Sequence, residues 1–465
     1  MNTLTPGLLS QRERGQPPAV ESRDRVSPTY RVETWGCQMN VLDGERMAGA
    51  LESRGLRAAP EGEPADVVIL NTCSVREKAE AKVYSALGVL NRRKQEYPGL
   101  VIGVTGCVAQ VEGAEILERA PWVDFVLGTG NVERVGEIVD RVRAERKHVL
   151  ALELPVDSPV YQFRDIARGS RFQAYVTVIE GCSQFCTFCI VPFTRGRERS
   201  RASGEILEEM RTLVERGYSE ITLLGQTVNA YRDPQDGSGF GELLRRASRV
   251  AGVRRLRFIT SHPRFLDDSM IEAIAAGGNV APYLHLPAQS GSDRILYRMK
   301  RRYTAAEYME KIGRVRRALP SIAISSDFIV GFPGETEEDF AQTLTLVSQA
   351  RFSNLFAFRY SPRPGTASAR WGSETAVPDE IAAERLARLL ALQEGMQAET
   401  NASLVGRELE ILVDGADREG RPRGRTPCNR ITHVDGRSPD LKPGDYVRVR
   451  ITRGLPNSLR AEVAA

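Results

Sequence analysis

The chain has 465 residues, 41% of them hydrophobic, and a formal charge of +4. That length exceeds a single ordinary core, so two to four domains are expected. The apolar fraction is that of a globular protein, no 18-residue apolar run marks a membrane span, and so small a net charge decides little about partners.

Residues 1–27 are rich in Arg, Pro, Gln and Ser, lack apolar periodicity and carry Glu13, Glu21 and Asp24. A disordered tail is expected there, not an organelle transit peptide, and a cytoplasmic location follows. From 28 to 144 one local design repeats. The strand-like run Tyr30 to Trp35 ends in Gly36-Cys37, Asp66 to Leu70 ends in Asn71-Thr72-Cys73, and Leu100 to Val104 ends in Thr105-Gly106-Cys107. Helical segments follow each cysteine, over 44–54, 75–92 and 108–119. Strand–loop–helix units in series predict a parallel sheet with crossover helices. In such a sheet the carboxyl ends of the strands share one edge, where ligands bind. Cys37, Cys73 and Cys107 therefore fall on that edge, although 36 and then 34 residues separate them. Buried structural cysteines are the plainer alternative. Three at one topological position point instead to an iron–sulfur cluster with three protein ligands.

A linker is expected over 145–167, and from 168 to 398 apolar strands alternate with amphipathic helices. Strands are predicted at 175–179, 220–224, 255–259, 283–286, 323–329 and 354–360, which makes about six β/α units curving into an open barrel. Directly after the first of these strands comes Cys182-Ser-Gln-Phe-Cys186-Thr-Phe-Cys189. Three thiolates within eight residues can hold three irons of a 4Fe–4S cluster and leave the fourth iron open. Structural zinc would need a fourth ligand nearby, disulfides an oxidising compartment, and a bacterial ferredoxin run a different spacing. Arg195, Arg197, Arg199 and Arg201 alternate after this loop, either as a solvated face or as a grip on polyanion phosphates. The later strands end in Gly225-Gln226, Ser261-His262, Gln289 and Asp327, where plain turns, a loop histidine and a strand cap compete with ligand contacts.

Over 401–464 short strands at 408–413, 430–434, 446–452 and 458–463 predict a small β-barrel. Twelve Arg and Lys stand against nine Asp and Glu between 402 and 465, with Arg421, Arg423, Arg425 and Arg430 clustered, as in a module that grips nucleic-acid backbone. Cys428 has no cysteine neighbour and reads as a plain thiol.

The Cys182 loop, with Phe188 just before Cys189, resembles the cluster loop of radical S-adenosylmethionine (SAM) enzymes. Thr34-Trp-Gly-Cys-Gln-Met-Asn40, Asn71-Thr-Cys-Ser-Val-Arg-Glu-Lys-Ala79, Gly106-Cys-Val-Ala-Gln110 and Gly181 to Arg201 resemble the motifs of its methylthiotransferase family, from about Pro28 to the C-terminus. The resemblance implies an α/β chain in three parts: an N-terminal parallel-sheet domain, a partial (β/α)6 radical SAM barrel and a C-terminal TRAM β-barrel that binds RNA. It implies two 4Fe–4S clusters, on Cys182, Cys186 and Cys189 and on Cys37, Cys73 and Cys107. It also implies two SAM molecules per turnover and a SAM pocket drawn from Phe188, Gly225, Gln226, Ser261, Gln289 and Asp327. RNA contacts would fall to Arg195, Arg197, Arg199, Arg421, Arg423, Arg425 and Arg430. Gln38-Met39-Asn40 and Ser74 to Lys78 favour the branch that adds a methylthio group to C2 of N6-dimethylallyladenosine at position 37 of tRNA. The branches acting on threonylcarbamoyl-adenosine or on a ribosomal-protein aspartate are the rivals, and a non-catalytic iron–sulfur sensor is the rival of another class. The expected partners are a tRNA carrying the dimethylallylated adenosine, an electron donor and a sulfur source, with the protein a monomer and no membrane involved.

Overall fold

The structure is a computed structural model that describes residues 27–73, 77–156, 166–276, 278–436 and 440–464. Residues 1–26 of the tail expected over 1–27, and part of the expected linker, lie outside the described residues. The N-terminal sheet contains β1 (Thr29–Trp35), β2 (Arg57–Ala58), β3 (Val67–Thr72), β4 (Val101–Gly106), β5 (Phe125–Leu127) and β6 (Val149–Ala151), in the order β2-β1-β3-β4-β5-β6. Every neighbouring pair is parallel. The helices are α1 (Gln38–Glu52), α2 (Glu77–Glu96), α3 (Cys107–Glu112), α4 (Ala114–Arg119) and α5 (Val135–Glu145). Alternate residues of β3 serve opposite layers: Val67 and Ile69 pack with Met47, Leu51 and Ile138, while Val68 and Leu70 pack with Val83, Leu87 and Ile116. A sheet covered on both faces explains why its central strands read as continuous apolar runs.

Two expectations change in detail. The single helix predicted over 108–119 is two short ones, because Gly113 adopts φ +53 between them. The sheet also runs on into the expected linker through β6, whose three residues are too few to show a periodicity.

In the middle unit, β7 (Gln173–Thr177) is followed by a two-stranded antiparallel ribbon of β8 (Ile179–Glu180) and β9 (Arg199–Ser200). The short helix α6 (Val191–Thr194) lies inside the ribbon's loop. Then come β10 (Glu220–Leu224), β11 (Arg255–Phe258), β12 (Tyr283–His285), β13 (Ala323–Val330) and β14 (Asn354–Arg359). Two parallel halves, β7-β10-β11 and β12-β13-β14, are joined where Val280 bridges Leu256. Six strands thus follow one another in chain order, with β7 and β14 at the two edges of an open barrel. The helices α7 (Ser203–Glu215), α8 (Phe240–Ser248), α9 (Asp268–Ala276), α10 (Asp293–Arg298), α11 (Ala305–Ala318) and α12 (Glu337–Ala350) intervene. Leu223, Phe258, Leu284 and Phe328 of the strands share one core with Met210, Leu244 and Phe340 of the helices.

Helix α13 (Asp379–Ala402) leads to a closed barrel of β15 (Glu408–Ala416), β16 (Pro422–Arg425), β17 (Ile431–Val434), β18 (Tyr446–Gly454) and β19 (Leu459–Val463). Part of the segment with the clustered arginines, for which no strand is predicted, is the strand β16. Gly424 permits it, since a Cβ there would stand 2.4 Å from the Leu412 carbonyl oxygen.

This small barrel docks at the end of the large one where the strands begin. Arg257 donates to the carbonyls of Thr426 (3.0 Å) and Pro427 (3.0 Å), and Arg255 to that of Arg425 (3.1 Å). Both arginines also pair with buried Glu220, and Arg254 lies over the Tyr446 ring at 3.7 Å. Arg257→Ala should remove two interdomain hydrogen bonds and one partner of Glu220, lowering stability by on the order of 3 kcal/mol. Denaturant unfolding checks the magnitude, and faster proteolysis between α13 and β15 checks the location.

Candidate functional site

In the N-terminal sheet the register sets the site. Trp35 pairs with Thr72 and Thr72 with Gly106, so β1, β3 and β4 end level. Cys37, Cys73 and Cys107 follow those ends within two residues, and Cys73 and Cys107 are buried. Two glycines draw the triplet together. A Cβ on Gly36 would stand 2.8 Å from that of Cys73, and one on Gly106, at φ +89, would stand 2.3 Å from the Thr72 carbonyl oxygen. Cys37 and Cys73 are in side-chain hydrogen-bond contact. Asn40 accepts from the Cys37 thiol at 3.2 Å and donates to Asn71 (3.2 Å) and to the Thr72 carbonyl (3.1 Å). Asn71 returns a bond to the Asn40 carbonyl at 2.7 Å.

The second triplet hangs on the β8–β9 ribbon. Gly181 turns at φ +76, where a Cβ would collide with the Arg197 carbonyl. Its N–H donates to the Gln226 side chain, and the Cys182 N–H donates to the Gly196 carbonyl at 3.1 Å. The loop is then pinned from afar. Thr187 donates to the carbonyls of Arg298 (2.9 Å) and Met299 (3.1 Å), and Arg301, itself buried, reaches the Cys186 sulfur at 3.4 Å. The Cys182 sulfur lies 3.3 Å from the Thr227 hydroxyl.

None of the six cysteines is in a disulfide. Burial pushes the thiols of Cys107 and Cys182 up and that of Cys189 up to about 12. The contact with Cys73 brings Cys37 down to about 6 against the opposing effect of burial, with the Arg195 charge helping. Thiols held protonated by burial must release protons to a metal. Among the described residues no three His, Cys, Asp or Glu side chains already close around a single ion. Each triplet supplies three thiol donors, the ligand set of a 4Fe–4S group with one open iron, whereas structural zinc takes four protein ligands.

Other predicted site residues divide. Phe188, Gln289 and Asp327 line a cavity of about 180 Å³ together with Cys189, Ile329 and Tyr360. Gln289 is held at φ +71, with its N–H on the Asp327 carbonyl (2.8 Å) and its carbonyl on the Ile329 N–H (3.0 Å). His285 faces the Asp327 carboxylate at 3.4 Å and the Ser325 hydroxyl at 2.8 Å. Gln226 holds the cysteine loop, and Gly225 allows close packing, a Cβ there falling 2.4 Å from Ile179. Ser261 is buried, its hydroxyl without a hydrogen-bond partner among the described residues. The residue before it, Thr260, has φ +66, an outlier for a β-branched side chain at a strand end facing the site. A cavity of about 360 Å³ lies inside the barrel, bordered by Gln38, Tyr175, Thr222 and Tyr283 and, from the small barrel, Asp414 and Arg425.

Of the arginines, Arg195 is corrected. It is 6% exposed, in contact with Cys107 and 2.6 Å from Asp43, so it faces the thiols of the first triplet and not a phosphate. Arg199 pairs with Glu180 (3.0 Å), and Arg430 donates to Asn401 (3.1 Å). Arg423 and Arg425 share Asp414, while Arg421 pairs with Asp417 and Glu419. Arg197 is exposed, its guanidinium 5.8 Å from the ring of Phe185. Sequence reading missed Arg301 and Thr227, which lie 115 and 45 residues from the cysteines they meet, with no local signal. Asn40 was visible only as part of a motif.

The two triplets meet at one seam. Met39 and Leu42 of α1 pack on Leu224 at the end of β10, α6 packs on α3, and the Thr129 hydroxyl donates to the Thr194 carbonyl. Two three-cysteine sites meet where the strand ends of a parallel sheet join those of an open β/α barrel, an arrangement with the ligand sets for two iron–sulfur groups.

Three family models match in series: the uncharacterized protein family UPF0004 over 29–128, the radical SAM superfamily over 176–347 and the TRAM domain over 402–464. Among solved structures, a radical S-adenosylmethionine methyltransferase from Kitasatospora setae superposes with a TM-score of 0.54 at 13% identity, covering 74% of this chain and 77% of its own, a likeness of fold alone. Among curated proteins, tRNA-2-methylthio-N(6)-dimethylallyladenosine synthase of Acidothermus cellulolyticus is 46% identical, covering 96% of this chain and 90% of its own. Those of Streptomyces viridosporus and Mycolicibacterium vanbaalenii are 46% and 44% identical over 93% and 95% of the chain and 87% and 89% of their own. The chain belongs to the tRNA-2-methylthio-N(6)-dimethylallyladenosine synthase family.

His262 yields a pH prediction. Burial first, then Arg301 and neighbouring cations, bring it down to about 2, and its Nδ1 accepts from the Arg264 N–H at 3.1 Å. The unfolded chain protonates it near 6.5, so below that pH the unfolded state binds the extra proton and stability falls. The apo-protein should lose up to about 1.4 kcal/mol per pH unit from this group between roughly pH 6 and 4. His262→Gln should flatten that part of a stability-versus-pH curve measured by denaturant unfolding.

Proposed function

We propose that the chain adds a methylthio group to C2 of N6-dimethylallyladenosine at position 37 of tRNA, beside the anticodon. The observation that carries this reading is the meeting of two separate three-cysteine sites at one seam. A single site would suffice to cleave SAM or to store a sulfur, but not for both. When bound, a SAM-binding cluster on Cys182, Cys186 and Cys189 and an auxiliary cluster on Cys37, Cys73 and Cys107 supply one-electron SAM cleavage and a sulfur to be methylated and inserted, with two SAM consumed per turnover. Such chemistry suits an aromatic C–H bond that no general base can ionise usefully.

The chain's own residues bind and orient. Phe188, Gln289 and Asp327 border the space beside Cys189 and are assigned to SAM, with His285 holding Asp327 in place. Gln226, Thr227 and Arg301 fix the cysteine loop, so the thiol positions do not depend on the loop's own stiffness. Ser261 and Gly225 act at the strand ends behind it. Since Arg195, Arg199 and Arg430 are engaged inside the protein, phosphate contacts fall chiefly to Arg197, Arg421, Arg423 and Arg425. A single-stranded loop suits this site, because its base can be splayed out to reach a seam. No helix among the described residues is long and apolar enough to cross a membrane. A cytoplasmic monomer served by a separate electron donor and sulfur source completes the reading.

Cys182→Ala and Cys73→Ala should each remove about half of the iron and labile sulfide of the anaerobically reconstituted protein, because the two sites load independently. With SAM and a reductant, wild type should convert a dimethylallylated anticodon stem-loop to its 2-methylthio form, and both variants should form none. Modification of threonylcarbamoyl-adenosine instead would move the protein to the rival branch, and absence of 5′-deoxyadenosine would make it a sensor.

A further inference from the structure

Arg195 belongs by sequence to the radical SAM loop, six residues after Cys189, yet its side chain lies with the other triplet. The guanidinium is buried, contacts Cys107 and acts on Cys37. Its Nη2 pairs with an oxygen of Asp43 in α1 at 2.6 Å. Arg46 lies 3.6 Å from the other Asp43 oxygen and also pairs with Glu133 and Glu180. Glu133 and Glu180 balance Arg46, so Arg195 is the cation that Asp43 holds beside the thiols. Three coordinated thiolates make this a place where a further anion is repelled, and a buried cation there is hardly screened by solvent. A guanidinium has five N–H donors in a fixed fork, more than Asp43 and Cys107 can use.

We propose that Arg195 is a positioning residue for the sulfur to be inserted: its guanidinium holds a small anionic sulfur ligand, hydrosulfide or methanethiolate, at the open position of the Cys37–Cys73–Cys107 site. The inference rests on the two-cluster reading above. It gives one short stretch, Cys182 to Arg195, a hand in both centres: three thiols for one, and the charge that retains sulfur at the other. The auxiliary site is complete only when the cysteine loop is seated against α1 and α3.

The test uses the full chain with Cys186→Ala, which leaves the auxiliary cluster as the spectroscopic signal, and methanethiolate as the probe, its affinity read from the change in the reduced cluster's paramagnetic spectrum. Removing Arg195 alone strands Asp43, a costly change for a buried charge. The decisive variants are therefore Arg195→Met with Asp43→Asn, which keeps the seam neutral, and Arg195→Lys, which keeps the charge. Expected are wild-type iron and sulfide contents in both, affinity at least tenfold weaker in the neutral pair, and recovery to within about threefold in Arg195→Lys. Equal affinity in the neutral pair and in Arg195 chains overturns the inference alone, as does loss of auxiliary iron in both variants, which would make the residue only a structural tie. An Arg195 chain that loads iron but binds no methanethiolate overturns the two-cluster reading as well.

Discussion

Asp43 and Arg195 are both nearly enclosed, on different structural units, and ionised side chains are tolerated in such a place only when paired. Their contact fixes how the sheet domain sits on the barrel. Around it the seam is held by apolar packing of Met39 and Leu42 on Leu224, which gives adhesion but little direction. The charges give direction. Arg46 extends the network to Glu133 in the first unit and Glu180 in the ribbon that carries the second triplet. A slip of the interface by one helical turn would leave several buried charges unpaired at once, so the relative placement of the two cysteine sites follows from electrostatics more than from hydrophobic area.

The two sites are built by different means. The first comes from strand ends in register, with two glycines removing side chains where backbones crowd and the Asn40–Asn71 pair closing the polar groups behind them. The second is a loop with little structure of its own. Its geometry is borrowed from residues more than a hundred positions later, Arg298 to Arg301, and from Gln226 and Thr227. A loop pinned this way is positioned only once the barrel has formed around it, whereas the three cysteines of the first site are placed by their own sheet.

The barrel is covered at both ends. The sheet domain lies where the strands finish, and the small β-barrel lies where they begin, through Arg255, Arg257 and Glu220. Both neighbours border the inner cavity, Gln38 from one side and Asp414 with Arg425 from the other. Three arginines that read as surface charge, Arg195, Arg199 and Arg430, are used in internal contacts or beside the thiols. Net charge along a sequence therefore overstated the charge available to RNA, and internal pairing with Asp43, Glu180 and Asn401 explains the difference.

Patterning along the chain determined the strands, since apolar runs and their period are local properties; each of the six barrel strands lies where its run predicts, and so do β1, β3 and β4. Cysteine spacing grouped one triplet on one loop, and the repeated strand–loop–cysteine design put the other on one sheet edge, because topology alone sends parallel strand ends there. The small barrel was legible too, apart from β16, whose Pro-Arg-Gly-Arg carries no strand signal without its neighbour Leu412. What only the tertiary structure decided is which side chains face one another. Arg195 reads as one more surface arginine in an alternating string, and Arg301 as one basic residue among several. Their assignment to Cys107 and Cys186 depends on burial and on partners distant in sequence, and contacts of that kind leave no trace in the spacing of residues along the chain.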